Sequence, residues 1–314
     1  MPPEIVCVVG PTASGKTKMG VAIAKRFGGE VVSVDSMQIY RGMTVGTAAP
    51  TAEEMEGIPH HMIAVADPSE SWSVARFTEA ADACVQDILR RGKLPVLVGG
   101  TGLYLDALVR GNRFAEGHAG TEVREALQKR MAVEGAAVLL QELRAIDPEA
   151  AEKLHLKDEK RILRALEVWQ ETGKTITEHN RETQAVPPRY DAVYIGLDFQ
   201  NRDDLRARID RRVDIMVEQG LLQEVRDLLS SGIPRTATAL QAIGYKQFLA
   251  VEEGRATVEE AVEEVKLRSR QYAKRQLTWL RRNGAIHWIR WEKVPDFQAA
   301  LQKATEILTA LGLS

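Results

Sequence analysis

Eight consecutive residues carry the clearest chemistry: Gly10-Pro11-Thr12-Ala13-Ser14-Gly15-Lys16-Thr17, a complete G-x-x-x-x-G-K-[ST] pattern. A turn of this kind aims backbone N–H groups inward, and the helix that follows adds partial positive charge at the same point. Gly15 lets the backbone approach phosphate oxygens, Lys16 supplies a full charge, and the Thr17 hydroxyl can ligate a Mg²⁺ that bridges two phosphates. The pattern says polyphosphate and not which one. A diphosphate on an isoprenoid presents the same two charged groups as the end of ATP. Two further residues belong beside it. Asp35 follows a short apolar run, and a carboxylate there can be a Mg²⁺ ligand, a general base or a cap on the next turn. Thr101 follows Gly99-Gly100 and is either a group pointing into a ligand crevice or a helix N-cap.

These groups need elements to hold them. Ile5 to Val9 reads as a strand buried on both faces, with a helix from Lys18 to Phe27 after the glycine-rich turn. Val31 to Val34 and Leu94 to Val98 read as further strands, with a helix from Trp72 to Arg91 between them. Strands alternating with helices predict an α/β class, a P-loop NTPase-like parallel sheet. Near Gly111 the pattern turns helical, with Thr121 to Val133, Ala136 to Ile146 and Glu159 to Thr172 as helices and Pro187-Pro188 as the end. Tyr194 to Leu197 resumes the strand signal. Helical spans at 202–231 and 257–282, a strand at Ile286 to Arg290 and a helix from Asp296 to Leu311 complete the chain. The expected organisation is a core of residues 1–114 and 189–314 with an all-helical insertion at 115–188.

Composition narrows the classes. The chain has 314 residues, 44% hydrophobic and 27% charged, which excludes a disordered tail, a collagen and a disulfide-stapled miniprotein. Lys+Arg 42 against Asp+Glu 44 excludes a globally basic coat but not a local patch. One such patch runs from Lys266 to Arg290 without an acidic residue, with Lys266, Arg270 and Lys274 on one helix face and Tyr272 and Trp279 among them. The cysteines, Cys7 and Cys84, suit a reducing, cytoplasmic setting. No apolar run reaches membrane-spanning length, and nothing demands more than a monomer. His60-His61 lacks the further ligands of a metal site and reads as a turn or core pair, and Trp169 and Leu166 read as core of the insertion.

Seven collinear blocks make the pattern specific: GPTASGKT (10–17), DSMQIYRGMTVGTAAP (35–50), PHHMI (59–63), VGGTGLY (98–104), RALEVWQETGKT (164–175), QAIGYKQ (241–247) and KRQLTWLRR (274–282). Together the chain resembles the bacterial tRNA dimethylallyltransferases, also called tRNA isopentenyltransferases. The resemblance implies that N6 of the adenosine 3′-adjacent to the anticodon (position 37), in tRNAs reading codons that begin with U, attacks C1 of dimethylallyl diphosphate and releases diphosphate. It implies Asp35 as general base and Thr101 as a hydrogen-bond partner of the leaving group. Ser14, Gly15, Lys16 and Thr17 match the diphosphate site, with Mg²⁺ as cofactor on Thr17. For the anticodon stem-loop it implies Asp35, Ser36, Met37, Gln38, Thr101, Arg124, Lys160, Arg161, Ile162, Leu163 and Arg164, with Gln241 and Gly244 from the QAIGYKQ block. Lys274 and Arg275 join them from the basic helix. Ser36 and Gln38 are the expected readers of an extruded base. The sequence departs from the family at Ala49, where lysine is frequent, and at Ala64, where an acidic residue is common. The same cradle would also suit a small-molecule kinase with a helical lid, a prenyltransferase of free adenine nucleotides, or an RNA-binding nucleotide switch. The helical insertion and the basic helix favour a macromolecular acceptor.

Overall fold

The structure is a computed structural model that describes residues 3–111 and 122–314. In chain order the core begins with β1 (Ile5–Val9), α1 (Lys16–Arg26), β2 (Glu30–Val34), α2 (Ala52–Met55), β3 (His60–His61), α3 (Val74–Arg90), β4 (Pro95–Gly99) and α4 (Gly102–Arg110). A helical segment follows: α5 (Glu122–Glu134), α6 (Ala136–Ile146), α7 (Pro148–Glu152), α8 (Glu159–Thr172) and α9 (Ile176–Ala185). The chain then runs through β5 (Ala192–Phe199), α10 (Arg202–Glu218), α11 (Leu221–Ser230), α12 (Tyr245–Glu252), α13 (Val258–Leu280), β6 (Ile286–Trp291) and α14 (Phe297–Ala310). It divides into two compact units, residues 1–111 with 189–314, and residues 112–188.

The first unit is a six-stranded sheet in the order β3-β2-β4-β1-β5-β6, with every pairing parallel. β1 lies inside it, and its side chains alternate between two cores. Ile5, Cys7 and Val9 face one, and Val6 and Val8 face the other. This explains an uninterrupted apolar run: a central parallel strand has no solvent face. Register then does the positioning. Val9 pairs with Gly99, and Val34 pairs with Gly99, so the carboxyl ends of β1, β2 and β4 come level, while β5, paired with Val9 at Gly196, runs on to Phe199. Close packing at this edge demands glycine: a Cβ on Gly99 would stand 2.1 Å from the Val34 carbonyl oxygen.

The second unit has its own core of Leu127, Leu139, Leu143, Ile162 and Leu166. α7 and α9 are helices that the three-helix expectation omits. α7 starts on Asp147, whose carboxylate caps Ala150 N, and α9 starts on a Thr175–Glu178 capping box. Trp169, expected in this core, is 37% exposed.

In the first unit α1 begins at Lys16, two residues before the expected start, because Gly15 serves as its cap. The span 202–231 is two helices, broken at Gly220, whose φ of +96° suits glycine. α4, α12 and the short β3 also lie outside the expected elements. Among the described residues no helix is long and apolar enough to cross a membrane.

Candidate active site

The level strand ends bring three segments together. The loop 10–17 leaves β1, Asp35 leaves β2, and Gly100-Thr101 leaves β4.

The loop is held from outside itself. Thr12 N donates to Gln276 Oε1 at 2.9 Å, Trp291 Nε1 donates to the Ser14 carbonyl at 2.8 Å, and Arg208 Nε donates to the Ala13 carbonyl at 3.3 Å. A Cβ on Gly10 would lie 2.4 Å from the Leu197 carbonyl oxygen of β5. Ala13 adopts φ +62° and Gly15 φ +90°, the left-handed turns that roll the loop into a cradle. The start of α1 has no side-chain cap, which leaves its first N–H groups for an anion. The Ser14 hydroxyl is buried there without a partner among the described residues. Lys16 Nζ donates to the Pro11 carbonyl at 2.6 Å. Burial, and next the charge of Arg212, push its ammonium down to about 7, with Asp35 opposing. Burial likewise lowers Arg212, again with Asp35 opposing. A dianionic tail would relieve both cations.

Asp35 is half-buried. Its Oδ1 accepts from Met37 N at 2.8 Å and Gln38 N at 3.3 Å, so it caps the turn after β2. Among the described residues Oδ2 accepts no hydrogen bond. One oxygen fixes the carboxylate and the other is left uncommitted among the described residues. Its charge also reaches Tyr104 and Tyr272, both raised first by burial and further by Asp35.

Thr101 stands at the N-cap position of α4, but its side chain makes no cap bond. Its Oγ1 is buried without a partner of hydrogen-bond geometry among the described residues, although the Tyr272 phenol lies close enough to be influenced by it. The capping alternative is therefore not used, and the hydroxyl is left buried beside the Tyr272 phenol at the end of β4. Gln276 completes the arrangement: it is 6% exposed and its Nε2 donates to the Gly100 carbonyl at 3.0 Å. One amide thus ties the phosphate loop to the segment carrying Thr101.

Gln276, Tyr272, Arg212, Arg208 and Trp291 were not singled out from the sequence for this site. Gln276 lies inside the KRQLTWLRR block, which offered a signal; the others are brought in by long-range packing.

The residues assigned to RNA divide sharply. Ser36 and Met37 are half-buried, and Met37 packs on the core. Both ends of the Gln38 amide are engaged: Ser33 Oγ donates to Oε1 at 2.8 Å, and Nε2 donates to the Thr47 and Ala48 carbonyls at 3.4 and 3.3 Å. Reading a base with this amide would require breaking those bonds. Gln241 is exposed in a 3₁₀ turn, and Gly244 opens α12 at φ +99°.

The basic helix is less basic in space than along the chain. Lys266 pairs with Asp214 at 2.9 Å, Arg270 holds Asp210 through both carboxylate oxygens, Arg268 pairs with Glu264 and Arg281 with Asp198. Most of these acids come from other segments, α10 above all, which a reading of 266–290 alone cannot see. Lys274 and Arg275 remain exposed, with no ion pair among the described residues and Arg275 5.6 Å from the Tyr272 ring. Lys274 also lines a groove of about 610 Å³ between α10 and α13, with Arg206, Arg270 and Arg281 on its rim and Leu205, Ile209 and Leu277 beneath.

In the helical unit Arg124 and Arg164 both pair with Glu167, at 3.2 and 2.8 Å, and Arg161 lies 3.6 Å from Asp158. Lys160 and Arg161 are exposed. Within the expected RNA-contacting stretch 160–164, Ile162 and Leu163 are 0% and 6% exposed, and their side chains belong to the apolar stripe of α8. His61 Nε2 lies 2.7 Å from the buried Glu30, which Arg91 and Lys93 also clamp; His60 Nδ1 lies 2.8 Å from the Ile58 carbonyl. Ala64 adopts φ +52° and its N donates to the Gln38 carbonyl at 2.9 Å, a backbone role.

Known proteins resemble this chain in sequence and fold. A family model described as IPP transferase matches residues 38–283, and one described as Isopentenyl transferase matches residues 3–71. The tRNA dimethylallyltransferase of Halalkalibacterium halodurans is 48% identical over 288 residues, covering 92% of this chain and 91% of the relative. That of Caldanaerobacter subterraneus subsp. tengcongensis is 46% identical over 296 residues, covering 94% and 93%. Among solved structures, the tRNA isopentenylpyrophosphate transferase of Bacillus halodurans aligns with TM-score 0.74 and 43% identity over 98% of this chain and 96% of its own. A eukaryotic dimethylallyltransferase acting on tRNA aligns with TM-score 0.82 and 30% identity over 98% and 79%. With the matched model spanning most of its length and relatives this similar end to end, the chain belongs to the IPP transferase family.

Proposed function

We propose that this chain transfers the dimethylallyl group of dimethylallyl diphosphate to N6 of the adenosine 3′-adjacent to a tRNA anticodon. The observation that carries the reading is the convergence at one sheet edge of a diphosphate cradle, a carboxylate with one oxygen uncommitted and a buried hydroxyl without a partner.

The chemistry follows from what each group offers. The N6 lone pair is delocalised into the purine, so the amine is a poor nucleophile. A bond forms from N6 to C1 of the allyl group while the bond from C1 to the bridging oxygen breaks. Asp35 Oδ2 accepts the N6 proton, an assistance worth about 10²–10⁴-fold in general-base catalysis. Negative charge grows on the departing diphosphate. Lys16, Arg212, the N–H groups at the start of α1 and the Thr101 hydroxyl are the donors for it. A Mg²⁺ suits this donor set. The Thr17 hydroxyl would help to hold such an ion together with the diphosphate; among the described residues no group of three or more His, Cys, Asp or Glu forms a separate site for it. When bound, it neutralises diphosphate charge.

Ser36, Gln241, Lys274 and Arg275 form the RNA side of the first unit. Arg124, Lys160, Arg161 and Arg164 form that of the helical unit. The adenine must leave its stack to reach Asp35.

Asp35→Asn tests the assignment. Under single-turnover conditions we expect transfer to fall by about 10²-fold or more, with tRNA affinity within a few-fold of the parent. Transfer at the parental rate would remove Asp35 as the base.

A further inference from the structure

Glu224 lies in the first turn of α11 and makes no contact with the cradle, yet its carboxylate holds a distant segment. Oε2 accepts from Thr44 N at 2.8 Å, Thr44 Oγ1 at 2.9 Å and Val45 N at 2.7 Å. Oε1 accepts from Gly46 N at 3.0 Å and from the buried Tyr245 hydroxyl at 2.5 Å. All five partners donate, so both oxygens must accept. An amide of the same shape would turn an NH₂ onto one set of donors in either orientation. The fit is close: a Cβ on Gly46 would lie 2.5 Å from the Tyr245 ring.

The held segment continues toward the site. Its next two carbonyls, Thr47 and Ala48, accept from Gln38 Nε2. Gln38 Oε1 accepts from Ser33 Oγ, and Gln38 N donates to Asp35 Oδ1. An unbroken path therefore links the Glu224 carboxylate to the oxygen that orients Asp35.

We propose that Glu224 is a positioning residue for the transfer reaction: it fixes residues 44–48, which fix Gln38, which sets the direction of the Asp35 carboxylate. The inference rests on the role of Asp35 proposed above. A small misplacement of a reacting group, caused from a distance, can slow chemistry by about 10²-fold. The hydrogen bonds of Glu224 and the Tyr245 hydroxyl go to residues 44–46 and to each other rather than to the loop 10–17, so KM for the allylic substrate should not follow.

The test is a double-mutant cycle in the full chain. Glu224→Gln is expected to slow single-turnover transfer by about 30-fold while KM for dimethylallyl diphosphate stays within about twofold. Added to Gln38→Ala, it should cause no further loss, because the path is already cut. Glu224→Asp, which keeps both oxygens, should recover part of the rate. A parental rate in Glu224→Gln, or losses that multiply in the double variant, would overturn the proposal. Hydrogen exchange supplies a readout that needs no turnover. Glu224→Gln should speed exchange at the Met37 and Gln38 amides as well as at 44–46; acceleration confined to 44–46 would contradict the coupling. Failure of the parent to transfer at all would instead defeat the assigned reaction, and exchange would still decide the coupling. If Glu224→Gln proves insoluble, Tyr245→Phe removes one donor and should produce a smaller change of the same kind in rate and exchange; no change in either would overturn the proposal.

Discussion

Lys16 shows how the site stores its affinity for an anion. Its ammonium is pushed down to about 7 by burial and by Arg212, well below the ordinary lysine value. A bound diphosphate favours the charged form and raises that pKa. Between about 7 and the raised value, binding therefore takes up a proton, and affinity weakens as pH rises. Calorimetry at pH 8 in buffers of different ionisation enthalpy should find uptake approaching about one proton per diphosphate bound. Lys16→Ala should bind more weakly and lose this uptake, and an equal uptake in the variant would contradict the assignment. At this scale much was legible. The G-x-x-x-x-G-K-[ST] spacing is local, so Lys16 and Thr17 could be read directly. Asp35 and Thr101 were placed by the rule that strand ends face the crevice. Choosing among base, metal ligand and cap was beyond the sequence, because it turns on which oxygens have partners. That the Ile162 and Leu163 side chains are buried was not legible from the motif match, which carries no record of which face of a helix is buried.

α13 is the element that assembles the site. Its Gln276 bridges Thr12 and Gly100, its Tyr272 stands beside Thr101, and its Lys274 and Arg275 face outward. Gln276→Ala leaves a loop N–H and a carbonyl without partners. The expected cost is about 1–3 kcal/mol for each group left buried and unpaired, read by thermal unfolding, together with weaker diphosphate binding. Unfolding and binding unchanged from the parent would show that the bridge is dispensable. Lys274→Glu with Arg275→Glu should weaken tRNA binding and flatten its dependence on salt, with little effect on dimethylallyl diphosphate. A parental salt slope would remove this helix from the RNA interface. Elements defined by local pattern, such as β1, α6 and α8, were readable because their apolar period is complete within the element. Asp214 and Asp210, which pair with Lys266 and Arg270, lie on α10 and were invisible along α13; Glu263, the second partner of Lys266, is on α13 itself. Trp291 and Arg208 brace the loop from 277 and 195 residues away, where no periodicity reports them.

At the scale of the whole molecule, the chain leaves and re-enters the sheet unit at neighbouring points. Arg189 N and Tyr190 N both donate to the Val109 carbonyl, at 3.0 and 3.2 Å. The sheet unit and the helical unit each have a separate core. Replacing residues 112–188 by a short flexible linker should therefore leave a folded protein that still binds diphosphate but has lost most affinity for tRNA. Binding of both ligands at parental strength would show that the helical unit takes no part in recognition, and an unfolded product would refute its independence. The account as a whole is tested most directly by following label from dimethylallyl diphosphate into unmodified tRNA, AMP and ATP offered side by side. It predicts label in tRNA alone, on the adenosine next to the anticodon and dependent on Asp35. Label in AMP or ATP with none in tRNA would contradict it.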